Sequence, residues 1–401
     1  MMVVNIDKNR CTGCHYCEVA IACPGEEHCT ECGACIDACP QSARSLSPSK
    51  EKRAKVTCIV NGETIHISSR QNVLQALESL GYSITSFPEE NPNSIFAPCR
   101  TGGCWSCAVL IDGLLKPSCI TPISDGITID TRIADQTPKR IVSGFQGHQC
   151  GGMGTPKDLV FSSHGEYLEV ACFASGCLYR CPTCQNWQTT YYSRAKPMVP
   201  SVAARRLTDQ RHYCRVDRMA ISGGESTLNR TWLVEFVKSL KDYNPDKKAR
   251  IHVDTNAAIL TADYIDELVL AGMTDIGPDL KGIRAETFTK ITRVESNARK
   301  YLQTSWEAVK HLLDNHSDSV FLGVGIPYNK EFIGLEEIHE MGSVLTSWEP
   351  ELQVTVLDYR PEFRARNLKR PSYQEMLKVR EVLKETGLKR VICQTARGYI
   401  R

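Results

Sequence analysis

No stretch of this sequence stays apolar over the length needed to cross a membrane, and its longest apolar runs are strand-sized. The opening residues Met1-Met2-Val3-Val4-Asn5-Ile6-Asp7 lack the cationic region and apolar core of a signal peptide. Neither a membrane span nor export is therefore expected, and the expected location is cytoplasmic. An excess of one charge is lacking as well. Lysine and arginine number 48 against 46 aspartate and glutamate, a formal net charge of +2. Nucleic acid and anionic membrane are accordingly not expected as partners. The phosphate-binding pattern G-x-x-x-x-G-K-S/T is also absent, since Gly151-Gly152-Met153-Gly154 lacks both its spacing and its lysine.

What the sequence has in abundance is cysteine, 20 in 401 residues. With 42% apolar and 23% charged residues, the composition is that of an ordinary globular chain, long enough for two or three domains. A reducing compartment keeps thiols free and favours metal binding over a disulfide scaffold. The cysteines are also clustered: eight lie within 11–39, four within 99–119 and three within 177–184. Cys58, Cys150, Cys172, Cys214 and Cys393 stand outside these groups.

The run Cys11-x2-Cys14-x2-Cys17-x5-Cys23-Pro24 is followed by Cys29-x2-Cys32-x2-Cys35-x3-Cys39-Pro40. This resembles the bacterial two-cluster ferredoxins, in which each tight loop of three cysteines wraps one 4Fe-4S cube and the fourth cysteine serves the other cube. The resemblance implies one cluster on Cys11, Cys14, Cys17 and Cys39 and a second on Cys29, Cys32, Cys35 and Cys23. The first motif departs in its five-residue last gap and in the short spacer that follows it. Pro24 and Pro40 are read as stops that turn the chain away. His15 and His28 read as exposed loop residues, and 42–55 as a solvated linker.

Residues 56–67 form two alternating runs joined by Asn61-Gly62, a strong hairpin signal. Val73, Leu74, Leu77 and Leu80 recur at helical spacing ahead of Gly81. Then comes Cys99-x4-Cys104-x2-Cys107-x11-Cys119. The order of hairpin, helix, cysteine loop and late cysteine resembles the plant-type 2Fe-2S ferredoxin domain, a β-grasp fold. The likeness is greatest to versions embedded in larger oxidoreductases, with Arg100-Thr101-Gly102-Gly103 in the cluster loop. It implies that the four cysteines bind a 2Fe-2S cluster. Cys58 reads as a small buried hydrophobe. Residues 133–157, rich in glycine with Pro138 and Pro156, read as a linker, with Cys150 and His148 as remote ligand candidates.

From 158 onward, strand-like apolar runs at 167–173, 218–222, 251–255, 275–279, 320–326, 353–357 and 390–394 alternate with amphipathic helices. Repeated βα units with a parallel sheet are predicted, in a closed or partial barrel with its chemistry at the C-terminal ends of the strands. Gly176-Cys177-Leu178-Tyr179-Arg180-Cys181-Pro182-Thr183-Cys184-Gln185-Asn186 follows the first of these strands. Three thiolates bind three corners of an iron-sulfur cube and leave the fourth iron open to a cofactor or substrate. Gly223-Gly224-Glu225, Asp254-Thr255-Asn256 and Asp279-Leu280-Lys281 end the next three strands on the same rim.

This order resembles the radical S-adenosylmethionine family, and in particular the branch of the activating enzymes of glycyl-radical proteins. The resemblance implies that Cys177, Cys181 and Cys184 ligate the cluster and that Gly223, Gly224 and Glu225 bind the cofactor's amino group. It also implies that Asp254 and Asn256 face its ribose or carboxylate. Asp279 and Lys281 belong to the same cavity by position, either as catalytic groups or as a strand-end salt bridge. Thr183 replaces the usual aromatic residue, and Ser226 the usual proline. Tyr179, Trp187, Tyr191 and Tyr192 are candidates to line the site or to pack beside it. The loop 358–364 is the candidate for substrate recognition, and Cys214 and Cys393 read as buried thiols.

The expected fold class is multidomain α/β. A small ferredoxin-like 4Fe-4S module spans 1–45, a β-grasp 2Fe-2S domain 56–132, a linker 133–157 and a partial (β/α)6-type TIM barrel 158–401. The expected enzyme reductively cleaves S-adenosylmethionine to a 5'-deoxyadenosyl radical that abstracts hydrogen from a substrate, a protein or peptide by the branch resemblance. A low-potential donor such as a ferredoxin or flavodoxin would feed the auxiliary clusters. Two alternatives are a cobalamin-dependent radical C-methyltransferase acting on a polypeptide and a non-catalytic electron-transfer subunit. No Asp-x-His-x-x-Gly signature supports cobalamin.

Overall fold

The computed structural model describes residues 2–23, 25, 28–49, 54–89, 91, 93–149, 151–162 and 166–400. Pro24, Cys150 and residues 50–53 of the expected first linker lie outside the described residues. The chain divides into two units. The first comprises residues 1–142, 174–178 and 186–199, and the second 143–173, 179–185 and 200–401.

In the first unit, β1 (Met2–Ile6) pairs antiparallel with β2 (Arg44–Pro48), Met2 opposite Pro48 and Ile6 opposite Arg44. The cysteine-rich chain between them carries two one-turn helices, Tyr16–Val19 and Ala34–Asp37. Helices this short do not stand alone in water, so they depend on what the cysteines bind and on neighbouring chain. Residues 44–48 thus differ from the expected linker, because an edge strand such as β1 needs a pairing partner for its backbone groups.

Downstream, β3 (Lys55–Val60) and β4 (Glu63–Ser68) form the expected hairpin, with Asn61 at φ 53° and Gly62 at φ 92° in its turn. The helix Val73–Ser79 begins at a capping box in which Asn72 accepts from the Gln75 amide at 2.8 Å. The short strands β5 (Ser83–Thr85) and β6 (Ser94–Phe96) pair in parallel. Strands β7 (Ala108–Ile111), β8 (Leu114–Pro117) and β9 (Thr128–Asp130) complete a mixed five-stranded sheet of order β4-β3-β9-β7-β8. Val73, Leu77, Ile111 and Ile129 are buried in this part of the unit.

The second unit is built on a nine-stranded sheet whose order follows the sequence. Its strands are β10 (Val142–His148), β11 (Glu169–Ala174), β12 (Arg218–Gly223), β13 (Arg250–Thr255), β14 (Asp275–Pro278), β15 (Phe321–Tyr328), β16 (Gln353–Asp358), β17 (Arg390–Thr395) and β18 (Gly398–Ile400). Strands β12 to β17 pair in parallel, and β17 pairs antiparallel with β18. All seven strands read from the sequence appear, as β11 to β17. Helices return the chain between them; Arg230–Tyr243, for example, buries Trp232, Leu233, Phe236, Val237 and Leu240 at helical spacing.

The stretch expected as a linker does not behave as one. Residues 142–148 form β10, and Gly152-Met153-Gly154 packs against the parallel strands. A Cβ on Gly323 would stand 2.5 Å from the Met153 carbonyl oxygen, and one on Gly325 would overlap the Met153 sulfur. Absent side chains on β14 and β15, at Gly277, Gly323 and Gly325, make room for this segment.

Candidate active site and cluster-binding cysteines

In the N-terminal module the eight cysteines line two cavities, with Cys17 at both. One cavity, of about 250 Å3, is lined by Cys17, Cys23, Cys29, Cys32 and Cys35 together with Arg44 and Arg194. A second, of about 80 Å3, is lined by Cys11, Cys14, Cys17 and Cys39. Burial pushes the Cys35 thiol up to about 12, with the Arg44 cation opposing it. His15 is exposed and pairs with Glu18 at 2.9 Å, as a loop histidine would.

Cys99, Cys104, Cys107 and Cys119 are all buried, and the Cys104 thiol lies 3.1 Å from the Cys99 sulfur. Hydrogen bonds from Cys104 and Cys119 hold Cys99 well below the ordinary thiol value, whereas burial, then Cys99, pushes Cys104 well above it. Four buried sulfurs that share protons in this way have the donor set a 2Fe-2S cluster needs. Cys58 is fully buried on β3, in keeping with a small hydrophobic role.

The boundary between the units runs through the 177–184 loop: Cys177 goes with the first, and Cys181 and Cys184 with the second. In the second unit, the Cys184 amide donates to the Cys181 carbonyl at 3.2 Å, folding this part of the loop. The Arg364 and Ala365 amides each donate to the Pro182 carbonyl at 3.0 Å. The 358–364 loop is therefore tied to the cysteine loop.

Asp279 and Lys281, beyond the end of β14, form an ion pair, and the Lys281 ammonium also donates to the Tyr359 hydroxyl at 2.7 Å. All three are buried. Burial alone would lower Lys281, but the charges of Asp279, Tyr359 and Cys181 hold it well above the usual lysine range. Burial also raises Cys181 to about 12, with Lys281 the main opposing charge. The Asp279 Oδ1 atom is buried with no hydrogen-bond partner among the described residues. Such an acceptor carries a desolvation cost until a ligand donates to it. Tyr359 is not linked to Lys281 by the sequence alone. Its signal was its place at the end of β16, on the same rim.

Glu225 is differently placed from its expected role. Its carboxylate accepts from the Thr227 amide at 3.0 Å and hydroxyl at 2.7 Å, the Thr255 hydroxyl at 2.6 Å and the Asn256 amide at 2.7 Å. It fastens β12 to β13. Gly223, at φ 112°, and Gly224 bring backbone to the rim. Asp254 Oδ1 lies 3.0 Å from His252 Nε2, and Asn256 Oδ1 accepts from the Ala258 amide at 3.1 Å. Ser226 donates to the Asp254 carbonyl at 2.6 Å. Thr183 is buried, its hydroxyl unpartnered among the described residues. Tyr179 packs edge-on to Phe288 at 5.4 Å, and Trp187 edge-on to Tyr16 at 4.7 Å, so both serve packing. Cys393 is buried and Cys214 half-buried. Away from the rim, His311 and His316 each lie 2.7 Å from Asp266 Oδ1, an exposed hydrogen-bonded trio of metal-ligand type.

Residues 172–341 match the family model of the radical SAM superfamily, and residues 53–133 that of a 2Fe-2S iron-sulfur cluster binding domain. The chain carries a radical SAM domain and a 2Fe-2S domain. With them come S-adenosylmethionine, a 4Fe-4S cluster and a 2Fe-2S cluster as cofactors. The residues fit these groups: Cys99, Cys104, Cys107 and Cys119 are buried thiols, Cys177, Cys181 and Cys184 are half-buried ones, and the unpartnered Asp279 oxygen supplies an acceptor at the rim. Among solved structures, the chain is similar to Streptococcus suis SuiB bound to S-adenosylmethionine, at 16% identity over 52% of this chain and 42% of that one, TM-score 0.38. It is similar to coproporphyrinogen III oxidase (HemN) from Escherichia coli at 17% identity over 50% and 51%, TM-score 0.35. For HydG, a maturase of the FeFe-hydrogenase, the figures are 14%, 54%, 48% and 0.41. The alignments span about half of each of these proteins or less. At such scores the fold is established by strand order and register instead. No curated protein matches the chain. Among the described residues, no helix is long and apolar enough to cross a membrane.

Proposed function

We propose that this chain is an electron-fed radical enzyme that cleaves S-adenosylmethionine reductively and abstracts hydrogen from a protein or peptide substrate. The observation that carries the reading is the buried Asp279, Lys281 and Tyr359 group, whose charges act on Cys181 and which leaves one carboxylate oxygen without a donor. When bound, the cluster and S-adenosylmethionine supply the carbon radical that takes the hydrogen atom. The protein binds, orients and excludes water. Cys177, Cys181 and Cys184 hold the cluster, and the Gly223 and Gly224 backbone meets the cofactor's amino end. Glu225 keeps β12 and β13 in register, so that Asp254 and Asn256 face the cofactor's ribose or carboxylate. Asp279 accepts a hydrogen bond from cofactor or substrate; burial raises its carboxyl above the ordinary value, and Lys281 opposes that by favouring the ionised form. The 358–364 loop, tied to Pro182, meets the substrate. The choice of a polypeptide rests on the likeness of the cysteine loop and the Asp279-Leu280-Lys281 strand end to the activating-enzyme branch.

The anaerobically reconstituted chain, supplied with dithionite and S-adenosylmethionine, is expected to release 5'-deoxyadenosine, and Cys181→Ala to release none. Iron analysis is expected to give about 14 irons per chain if all four cysteine sets are filled. A filled chain that releases no 5'-deoxyadenosine is an electron-transfer subunit instead.

A further inference from the structure

The first unit sets three groups of cysteines in series. Gly176, the residue before Cys177, lies against the 2Fe-2S loop. A Cβ placed on it would stand 2.9 Å from the Cys104 backbone nitrogen and 3.0 Å from the Cβ atoms of Cys99 and Cys104. From the opposite side, a Cβ on Gly103 would stand 2.7 Å from the Gly176 nitrogen and 2.8 Å from Ser175. Backbone therefore meets backbone, which only glycine at both positions permits. The approach is also pinned. The Ser175 amide donates to the Ile141 carbonyl at 3.0 Å, the Gly176 amide to that of Thr190 at 2.8 Å, and the buried Arg140 guanidinium to that of Ser175 at 3.2 Å. Since consecutive Cα atoms are about 3.8 Å apart, the Cys177 Cα stands within roughly 8 Å of the Cys99 side chain.

A second joint lies at Ser193. Its amide donates to the Ala20 carbonyl at 2.8 Å, and its hydroxyl oxygen accepts from the Ala22 amide, next but one to Pro24 and adjacent to Cys23, at 2.9 Å. The Ser193 Cβ is also 3.3 Å from where a Cβ on Gly102 would lie. Beside it, Arg194 donates to the Ile21 carbonyl at 2.8 Å and lines the cavity of Cys23, Cys29, Cys32 and Cys35.

We infer that Gly176 and Ser193 are the joints of a built-in one-electron wire, with the 2Fe-2S cysteines standing between the Cys23, Cys29, Cys32 and Cys35 set and Cys177. The inference rests on the radical reading above and adds an order to it: the 2Fe-2S centre is the immediate redox neighbour of the catalytic cluster. A low-potential protein carrier supplies one electron. As it passes, each centre is oxidised by one electron and the next is reduced by one; no bond breaks and no proton moves.

The test is electron paramagnetic resonance on the full-length, reconstituted chain. The power saturation of the 2Fe-2S signal is measured at a potential that reduces this centre alone and at one that also reduces the catalytic cluster. The half-saturation power is expected to rise several-fold in the second state. In Cys181→Ala, which lacks the catalytic cluster, it is expected to stay at the lower value. Replacing Cys29, Cys32 and Cys35 by alanine is expected to leave the rise in place. An unchanged half-saturation power in the wild-type chain overturns the wire, and this arm needs no variant to fold. Loss of the rise with the N-terminal set alone overturns the order. The radical reading is judged separately, by 5'-deoxyadenosine released under dithionite, which reaches the catalytic cluster without the wire.

Discussion

The two ends of the parallel strands in the second unit both bury charge, and they treat it in opposite ways. At the N-terminal end, the Arg218 guanidinium contacts Glu169 and donates to the Thr155 hydroxyl at 2.6 Å and the Gly154 carbonyl at 2.7 Å. Arg250 holds Asp275 at 2.7 Å. Two cations there, Arg218 and Arg250, face the two buried carboxylates of Glu169 and Asp275, so the group is balanced in charge. At the C-terminal end, Lys281 faces Asp279 and Tyr359, and Asp279 Oδ1 is left unpartnered among the described residues. A charge-balanced network of this kind fixes structure; a buried carboxylate oxygen with no donor has a place for a ligand.

Breaking the charge-balanced end has the largest expected effect on stability. Arg218→Met leaves Glu169 and Asp275 buried and short of a cation, and is expected to cost about 3–5 kcal/mol, read as a lowered melting temperature and soluble yield. Lys281→Met reverses the pattern. It is expected to lower 5'-deoxyadenosine formation about tenfold or more, or about 1.4 kcal/mol of barrier, with iron content retained. Equal effects of the two substitutions on both readouts would erase the distinction between the ends.

The smallest effect is on pH. Burial and Arg218 oppose the charge on His252, but Asp254 and Glu169 raise it above its ordinary value of 6.5. A raised histidine contributes stability that is fully present below the unfolded value and lost as pH rises through the folded one. The melting temperature of the wild-type chain is therefore expected to fall as pH rises above 6.5, and that of His252→Gln to fall less.

Much of this was legible in the sequence because cysteine spacing and strand periodicity are local. The seven strands β11 to β17 and the Asn61-Gly62 hairpin follow from residues near one another in the chain. What the sequence hid depends on distant pairs. Residues 133–157 read as linker because glycine and proline mark loops, yet Gly152-Met153-Gly154 fits against space left by Gly277, Gly323 and Gly325. The family resemblance implies Glu225 as a cofactor ligand, whereas its carboxylate is occupied by donors from Thr227 beside it and from Thr255 and Asn256 at the end of β13. Lys281 was visible, but Tyr359, which lies 78 positions on, was not linked to it.

The most direct measurement is the electron paramagnetic resonance spectrum of the dithionite-reduced, reconstituted chain before and after S-adenosylmethionine is added. Three cluster cysteines instead of four and the acceptor offered by Asp279 Oδ1 predict that the cofactor changes the signal of the catalytic cluster while the 2Fe-2S signal keeps its shape. Identical spectra, with the catalytic cluster shown to be reduced, would contradict the account.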